Sequence, residues 1–382
     1  MLTAAAVNAM AANVQDFDDT HIPTIVHPTV TIAAALFALA ETRVVTGEQL
    51  LHAFAVGVEV ECRIANAISP SHYARGWHIT TTAGIFGVAA AAAKVLGLNE
   101  QQVLWAFGNA SVQSSGLVES LGTSAKSMGV GNCARNGLLS ALLAQAGFEG
   151  PTEPLEGRFG WLKVVCDDIR WDALQGDPSP NKRWQLQNNT YKPYPCGVIL
   201  NPVIDACLDL AVSNDFTDRG PDAITRVEIT GHPLLRQRTD RPGVTSGRLS
   251  QVSAQHAVGV ALTRARAGLA EFSDEATNDP RVRALGAKVV FHDDTGVSVE
   301  GARVSIAFAD GHALTKDIAA ARSSLANPLT DQDLSKKLIE LARFGGSNVS
   351  PQPLLNTLWA LELSANVASV VKLATPAPTP HV

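Results

Sequence analysis

The sequence predicts a mainly α-helical protein with an α+β insert, that is, a large all-α helical domain with a smaller α+β lid domain. Two observations indicate this fold. Long apolar runs rich in alanine and glycine fill roughly the first 175 residues, and the alternating apolar pattern of strands follows only after residue 220. Helical patterns then return near the C-terminus. We therefore expect the helical domain at residues 1–190 and 325–372, the lid at residues 191–324, and a disordered tail at residues 373–382.

The individual elements follow from periodicity and from capping residues. Thr46 is a suitable N-cap for the second long helix, and Gly97 is a suitable C-terminal glycine for the third. The expected helices span residues 31–41, 47–67, 81–96, 99–116, 132–147, 253–269, 330–344 and 353–370. The expected strands span residues 224–230, 288–291 and 303–308, with a turn-rich stretch at 177–180 and a hairpin-type turn at 310–311.

Length and composition limit the function classes. A chain of 382 residues with 46% hydrophobic and 17% charged residues is typical of a well-buried globular enzyme of two domains. The net charge of −6, with both signs interspersed, argues against nucleic acid as a partner. Five cysteines without a CxxC pair indicate a reducing compartment, with no disulfide framework and no zinc site. Neither a basic leader nor an apolar run of membrane-spanning length is evident, so we expect a cytoplasmic protein without a membrane partner.

A polar segment lies between two apolar runs near the N-terminus. Its polar residues are Asp16, Asp18, Asp19, Thr20, His21 and His27. A buried charge without a partner costs several kcal/mol, so such a cluster must be paired or used. Helix capping by aspartate or threonine would explain one of these residues but not all of them. We therefore expect the segment to be functional.

Two further polar stretches lie in the helical part of the chain. Residues 71–82 carry Arg75, two histidines and three threonines before an apolar helix, a pattern that suits a carboxylate cradle; simple capping by Thr80 or Thr81 is the alternative. Residues 122–132 form an expected glycine-rich loop with Lys126. The order of its residues does not match a nucleotide-binding phosphate loop, so this lysine either holds a substrate carboxylate or lies on the surface.

The last two stretches belong to the expected lid. Residues 191–197 present Lys192, Tyr194 and Cys196 on a backbone fixed by two prolines. No catalytic-cysteine pattern surrounds Cys196, so we interpret it as a structural thiol. His256 stands at the start of a helix, where a lone histidine is more often structural than functional.

Four of these segments resemble the MmgE/PrpD family. The segments DFDDTH, HYARGWH with its following threonines, AK-x(4)-G-x-x-A-R-N-G and YKPYPC occur in that family in the same order, and the resemblance covers nearly the whole chain. The family includes 2-methylcitrate dehydratase, cis-aconitate decarboxylase and iminodisuccinate epimerase. The resemblance implies a homodimer with a site between a helical domain and an α+β lid, working without metal, nucleotide or other cofactor.

The resemblance also implies which residues act. The expected catalytic residues are His27, Asp16, Lys192, Lys126 and His78. The expected substrate-binding residues are Thr20, Tyr194 and His256, together with Arg75 from its own segment. We expect the catalytic group to converge on one cleft. There the two lysines stabilise carboxylate and enolate charge, His27 moves a proton, and Asp16 orients His27 or holds its charge.

The family chemistry is the formation or collapse of a carbanion next to a carboxylate. The expected function is therefore a cofactor-independent lyase, a dehydratase or decarboxylase, acting on a small di- or tricarboxylate. An epimerase of a dicarboxylate and a catalytically inactive family member are the alternatives. Relatives usually carry a further helical segment before the aspartates, and several carry histidine where Gly129 stands or near Gly197, so the exact substrate and reaction stay open.

Overall fold

The chain divides into two compact units. The structure, a computed structural model, describes residues 1–175, 183–346 and 349–376. The first unit comprises Met1–Val14, Asp18–Asn189 and the chain from Gln332 onwards, and the second comprises Gln15–Phe17 and Thr190–Asp331. The turn expected at 177–180 and the part of the expected tail beyond residue 376 lie outside the described residues.

The first unit is helical, as predicted. Its elements up to residue 175 are α1 (Leu2–Val14), β1 (Asp19–His21), α2 (Pro28–Ala40), α3 (Gly47–Ile68), α4 (Ser71–Ala74), α5 (Ile79–Leu96), α6 (Glu100–Ser111), α7 (Ser124–Gln145) and α8 (Trp161–Val165). Thr46 caps α3 by accepting from the backbone N–H of Gln49, whose side chain reaches back to Thr46. Gly97 ends α5 in a left-handed conformation with φ of 68°. Both capping predictions are confirmed.

Helix α5 lies at the centre of the first unit. It is apolar on nearly every side, and α2, α3, α6 and α7 pack against it. Glycines allow the close crossings: a Cβ atom on Gly57 of α3 would lie 2.8 Å from the carbonyl oxygen of Gly87 on α5. These crossings fix the position of the N-terminal end of α5.

One expectation about α5 is wrong. With 18 residues it is long and apolar enough to cross a membrane, although the sequence suggested that no apolar run reaches this length. Because 89% of this stretch is buried inside the protein, its apolar surface is already used by the core of the first unit.

The second unit combines a mixed sheet with short helices. Strand β2 (Asn189–Tyr191) begins at the last residue of the Asp18–Asn189 segment of the first unit. After it the second unit contains α9 (Asn201–Ala211), α10 (Asn214–Thr217), β3 (Ile224–Gly231), α11 (Pro233–Thr239), α12 (Gly247–Ser250), α13 (Ala254–Arg264), α14 (Asp274–Thr277), α15 (Pro280–Gly286), β4 (Val289–Asp293), β5 (Ala302–Phe308) and β6 (Ala313–Ile318). The sheet order is β4-β3-β5-β6, with β3 and β4 parallel and the other pairs antiparallel.

The core of the second unit follows from the alternation in its strands. Val227 and Ile229 on β3 pair in register with Ile306 and Val304 on β5, and all four side chains are fully buried. Helix α9 packs against β5 and β6, and α13 packs against α9. The predicted α+β composition of this part of the chain is therefore observed.

Several elements differ from the predictions, and the larger differences are these. Helix α6 ends at Ser111 rather than at residue 116, and α7 begins at Ser124 rather than at residue 132. Strand β6 was not predicted, although the expected turn at 310–311 joins it to β5. The chain returns to the first unit with α16 (Asp331–Phe344), and the single helix expected at 353–370 is instead α17 (Pro351–Trp359) and α18 (Ala368–Leu373).

The packing of α7 makes a stability prediction. Gly129→Ala is expected to raise the free energy of unfolding by roughly 0.5–1 kcal/mol, because alanine favours the helix interior. A Cβ atom there would meet only the Cγ2 atom of Thr81, at an ordinary 3.5 Å. Gly137→Ala is expected to lower the stability by about 1–3 kcal/mol, because its Cβ atom would lie 2.6 Å from the Cβ atom of Val88. Urea denaturation measures both, and equal effects would contradict this packing.

Candidate active site

Helices α2, α5 and α7 bring their N-terminal ends together in the first unit. The Thr80 hydroxyl, in the first turn of α5, accepts a hydrogen bond from the backbone N–H of His27 with an N–O distance of 3.2 Å. The first turn of α7 is linked to the same place through Asn13 and Asp18. The N-terminal end of a helix carries partial positive charge and unpaired N–H groups. Three such ends at one place favour an anion such as a carboxylate.

His27 occupies the N-cap position of α2, but its side chain makes no capping bond. Its Nδ1 atom lies 2.6 Å from the backbone carbonyl oxygen of Asp19, which can only accept, so Nδ1 carries a hydrogen. In the neutral ring Nε2 then carries the lone pair. The Thr20 hydroxyl lies 3.3 Å from Nδ1, so the structure brings His27 and Thr20 together.

Two aspartates around His27 have different roles. The Oδ1 atom of Asp18 lies 3.5 Å from Nδ1 of His27, which makes Asp18 the carboxylate beside this histidine in the first unit. Asp19 instead caps α2, because its carboxylate accepts from the backbone N–H and the hydroxyl of Thr29 and from the amide of Asn189. Burial raises the pKa of Asp19 to about 6 in spite of these bonds. Helix capping, the alternative to a functional role in this polar segment, therefore explains Asp19.

His78 occupies the N-cap position of α5, as His27 does for α2. Its ring is buried, and Nδ1 lies 3.4 Å from the hydroxyl of Thr81. Its backbone N–H donates to the carbonyl oxygen of Gly116 at 3.1 Å. Gly116 has φ of 139°, and a Cβ atom there would lie 1.9 Å from the hydroxyl oxygen of Thr81. Only glycine therefore fits at this position, where its carbonyl oxygen accepts from the backbone of His78.

Lys126 does not lie in a loop. Thr123 caps α7 by accepting from the N–H of Ala125, and Lys126 is therefore a buried residue in the first turn of a helix. This corrects the glycine-rich loop expected at residues 122–132. The lysine adds a cation to the end of α7, where the helix dipole already favours an anion.

The second unit holds another predicted pair. The Lys192 ammonium group lies 3.1 Å from Oδ1 of Asp16 and donates to the Asp16 carbonyl oxygen at 3.2 Å. Both residues are buried, and Asp16 adopts a left-handed conformation with φ of 50°, which is strained for a residue other than glycine. Within this unit Asp16 is thus the counter-ion of Lys192.

Two predicted binding residues of the second unit make internal hydrogen bonds. The Tyr194 hydroxyl donates to Asp205 at 2.6 Å, and burial raises its pKa. His256 donates from Nε2 to the carbonyl oxygen of Glu271 at 2.7 Å, and burial lowers its pKa. Their role in substrate binding stays a prediction. Burial also raises the pKa of the Cys196 thiol and keeps it neutral, which suits a structural residue.

Comparison with known proteins decides the family. The model of the MmgE/PrpD N-terminal domain matches residues 1–173, and the model of the MmgE/PrpD C-terminal domain matches residues 194–359. The chain belongs to the MmgE/PrpD family. The resemblance expected from four short segments is therefore confirmed.

Three named proteins of other organisms are similar to this chain. The cis-aconitate decarboxylase-like protein oryM of Aspergillus oryzae is 27% identical, over 97% of this chain and 81% of that protein. The cis-aconitate decarboxylase of Homo sapiens is 26% identical, over 87% of this chain and 71% of that protein. The cis-aconitate decarboxylase of Aspergillus terreus is 28% identical, over 83% of this chain and 70% of that protein.

Three other polar residues of the family segments make contacts within the protein that are typical of structural residues. Arg75 is 44% exposed and pairs with Asp167 at the surface, a setting that does not support the carboxylate cradle expected there. His72 is fully buried between the carbonyl oxygen of Val165 and the Thr82 hydroxyl. His21 is fully buried as well, and burial lowers the pKa of both histidines to about 4.

The sequence interpretation gave no role to Asp18, Asn13 or Ser127. These residues form a connected set of side chains next to His27. Asp18 lies in the polar segment that we expected to be functional, so the clustering of acidic residues there already indicated a possible role for it. Asn13 gave a weaker indication, because it is a single amide on the otherwise apolar buried face of α1.

The buried histidines make a prediction about acid stability. His21 and His72 have a pKa of about 4 in the folded protein, against 6.5 for an ordinary histidine. The unfolded chain therefore takes up protons first as the pH falls from 6.5 to 4, and each histidine is expected to remove up to roughly 3 kcal/mol of stability. Asp19, with its raised pKa of about 6, takes up its proton in the folded state first and acts in the opposite direction.

Urea unfolding as a function of pH tests this assignment with His72→Gln. The variant is expected to lose stability less steeply than the wild type between pH 6.5 and 4. His52→Gln, which changes an exposed histidine of α3, serves as the control. An unchanged slope in His72→Gln would contradict a neutral, buried His72.

Proposed function

We propose that this protein is a lyase that removes CO2 from a small unsaturated tricarboxylate of the cis-aconitate class. One observation carries the proposal. In a member of the MmgE/PrpD family, His27 and His78 stand at the N-caps of α2 and α5, whose first turns are joined by a hydrogen bond, and Lys126 lies in the first turn of α7; this supports one shared anion site in the first unit. Its relatives named as cis-aconitate decarboxylases support this reaction.

The reaction needs charge neutralisation. When the bond to the leaving carboxylate breaks, its electron pair stays on the substrate carbon and spreads toward the double bond and a neighbouring carboxylate. A fixed cation at that carboxylate lowers the barrier more than the same cation in water would. Lys126, backed by the N-terminal end of α7, is suited to this role.

The reaction also consumes one proton. The carbanion takes it at carbon, so the balance is one carboxylate and one proton converted to CO2 and a new C–H bond. We assign the proton to Nε2 of His27, because Nδ1 is committed to the Asp19 carbonyl oxygen. The nearby carboxylate of Asp18 stabilises the imidazolium form. His78 is the second candidate for the proton.

We further propose that Lys192 of the second unit, with Asp16 as its counter-ion, binds a substrate carboxylate. The ammonium group of Lys192 has three N–H donors, so it can bind a substrate carboxylate while it stays paired with Asp16. Cofactor independence and the homodimer stay predictions from the family resemblance.

NMR of the purified protein with di- and tricarboxylates in D2O tests the proposed reaction. The expected result with cis-aconitate is release of CO2 and one deuteron bound to product carbon, unchanged after dialysis against EDTA. Loss or addition of water would indicate a dehydratase instead. Exchange of a substrate hydrogen without net change would indicate the epimerase alternative, and no reaction with any carboxylate would contradict a lyase.

Variants in the same assay test the assigned roles. His27→Gln and Lys192→Ala are each expected to lower kcat/KM by about 10²-fold or more, the usual scale for such groups. His52→Gln and Lys94→Ala, at exposed positions of α3 and α5, are matched controls that should keep wild-type turnover. Wild-type turnover in His27→Gln would move the proton to His78 or His256, and wild-type turnover in Lys192→Ala would remove Lys192 from the site.

A further inference from the structure

Asn13 interrupts the buried apolar face of α1. The buried residues of this helix are Ala5, Ala9 and Asn13, which follow one another at helical spacing. An alanine would continue this face without any cost for burying an amide. Asn13 is completely buried, so its amide must be satisfied by other side chains.

Both ends of the Asn13 amide are hydrogen-bonded. Its nitrogen donates to Oδ2 of Asp18 at 2.9 Å, and its oxygen accepts from the Ser127 hydroxyl at 3.2 Å. A carboxylate can only accept, so the nitrogen of the amide must face Asp18 and the oxygen must face Ser127. Ser127 is also buried, and it stands next to Lys126 in the first turn of α7.

These bonds determine the orientation of Asp18. One carboxylate oxygen points to Asn13 and the other lies 3.5 Å from Nδ1 of His27. A carboxylate this deeply buried stays ionised only when donors stabilise its charge. The Asn13 amide is such a donor, and the hydrogen bond from the Ser127 hydroxyl to the amide oxygen holds the amide in place.

We propose that Asn13 and Ser127 are positioning residues that hold Asp18 ionised and oriented as the counter-ion of His27. We call this set of contacts the relay: it runs from Ser127 in the first turn of α7, through Asn13 in the last turn of α1 and then Asp18, to His27 at the start of α2. It links the helix that carries Lys126 to the histidine that moves the proton. The inference rests on the proposed function only in the role of His27, since the hydrogen bonds themselves involve no substrate.

The titration of the His27 ring tests the relay directly. NMR of the protein with labelled histidine follows each ring as a function of pH, and the His27→Gln variant assigns the His27 signal. Asn13→Leu removes the donor at nearly constant volume, and Ser127→Ala removes only the hydroxyl. Ser140→Ala is the matched control, because Ser140 is a buried serine of the same helix whose hydroxyl donates to the Asn136 carbonyl oxygen.

The carboxylate charge of Asp18 is expected to determine the titration midpoint of His27. In Asn13→Leu the titration midpoint of His27 should fall by about half a pH unit or more, the scale for losing a nearby opposite charge. Ser127→Ala should shift it in the same direction by less. The other titratable groups on the packed elements are unchanged in both variants: Asp18, Asp19, Glu61, His78 and Lys126. The limb of the kcat/KM profile that reports His27 should move with the midpoint, with little change in KM.

Each outcome decides the proposal. Wild-type midpoints in folded Asn13→Leu and Ser127→Ala, equal to that of Ser140→Ala, would overturn it. If Asn13→Leu does not fold, the midpoint in Ser127→Ala decides alone. A shifted midpoint in a protein that turns over no carboxylate would support the relay while the proposed lyase activity fails, so the two failures are distinguishable.

Discussion

The hydrogen bond from the backbone of His27 to the Thr80 hydroxyl joins the start of α2 to the start of α5. This junction depends in turn on the packing of the first unit. Helix α5 is held along its length by close crossings at glycine, so its N-terminal end has little freedom to move. The position of His27 is therefore set by the packing of the core, although His27 itself lies at its edge.

Electrostatics around this junction favour an anion in spite of the acidic chain. The protein has a net charge of −6, yet two acids near the helix ends are largely compensated. Asp19 is capped by three donors and has a raised pKa of about 6. Glu61 is fully buried, and burial, aided by the charge of Asp19, raises its pKa well above the ordinary value for a glutamate. The partial charges of three helix ends and the lysine of α7 then act against the carboxylate of Asp18, which lies beside His27.

The sequence could predict what depends on local patterns. Helices α3 and α5 and strands β3 and β5 follow from apolar periodicity, and Thr46 and Gly97 follow from capping chemistry. The start of α7 was missed because Gly122, Thr123 and Ser124 are typical of a loop, whereas here Thr123 caps a helix.

The candidate site was predictable only in its residue types. Motifs identified His27 and Thr20, which the structure joins, and also Lys192 and Asp16, which form an ion pair. The pairing of Asn13 with Asp18 and Ser127 could not be predicted, because Ser127 is distant in sequence and side-chain hydrogen bonds leave no periodic signal. Tertiary packing, which places α1 against α7, creates this contact.

The central claim is that the helix ends bearing His27 and His78 bind a polycarboxylate. Titration of labelled-histidine protein with tricarballylate, a saturated tricarboxylate that cannot react, tests it most directly by NMR. The account predicts that the ring signals of His27 and His78 shift together and saturate at one ligand concentration. Saturable shifts confined to other histidines, with the His27 and His78 signals unmoved, would contradict it.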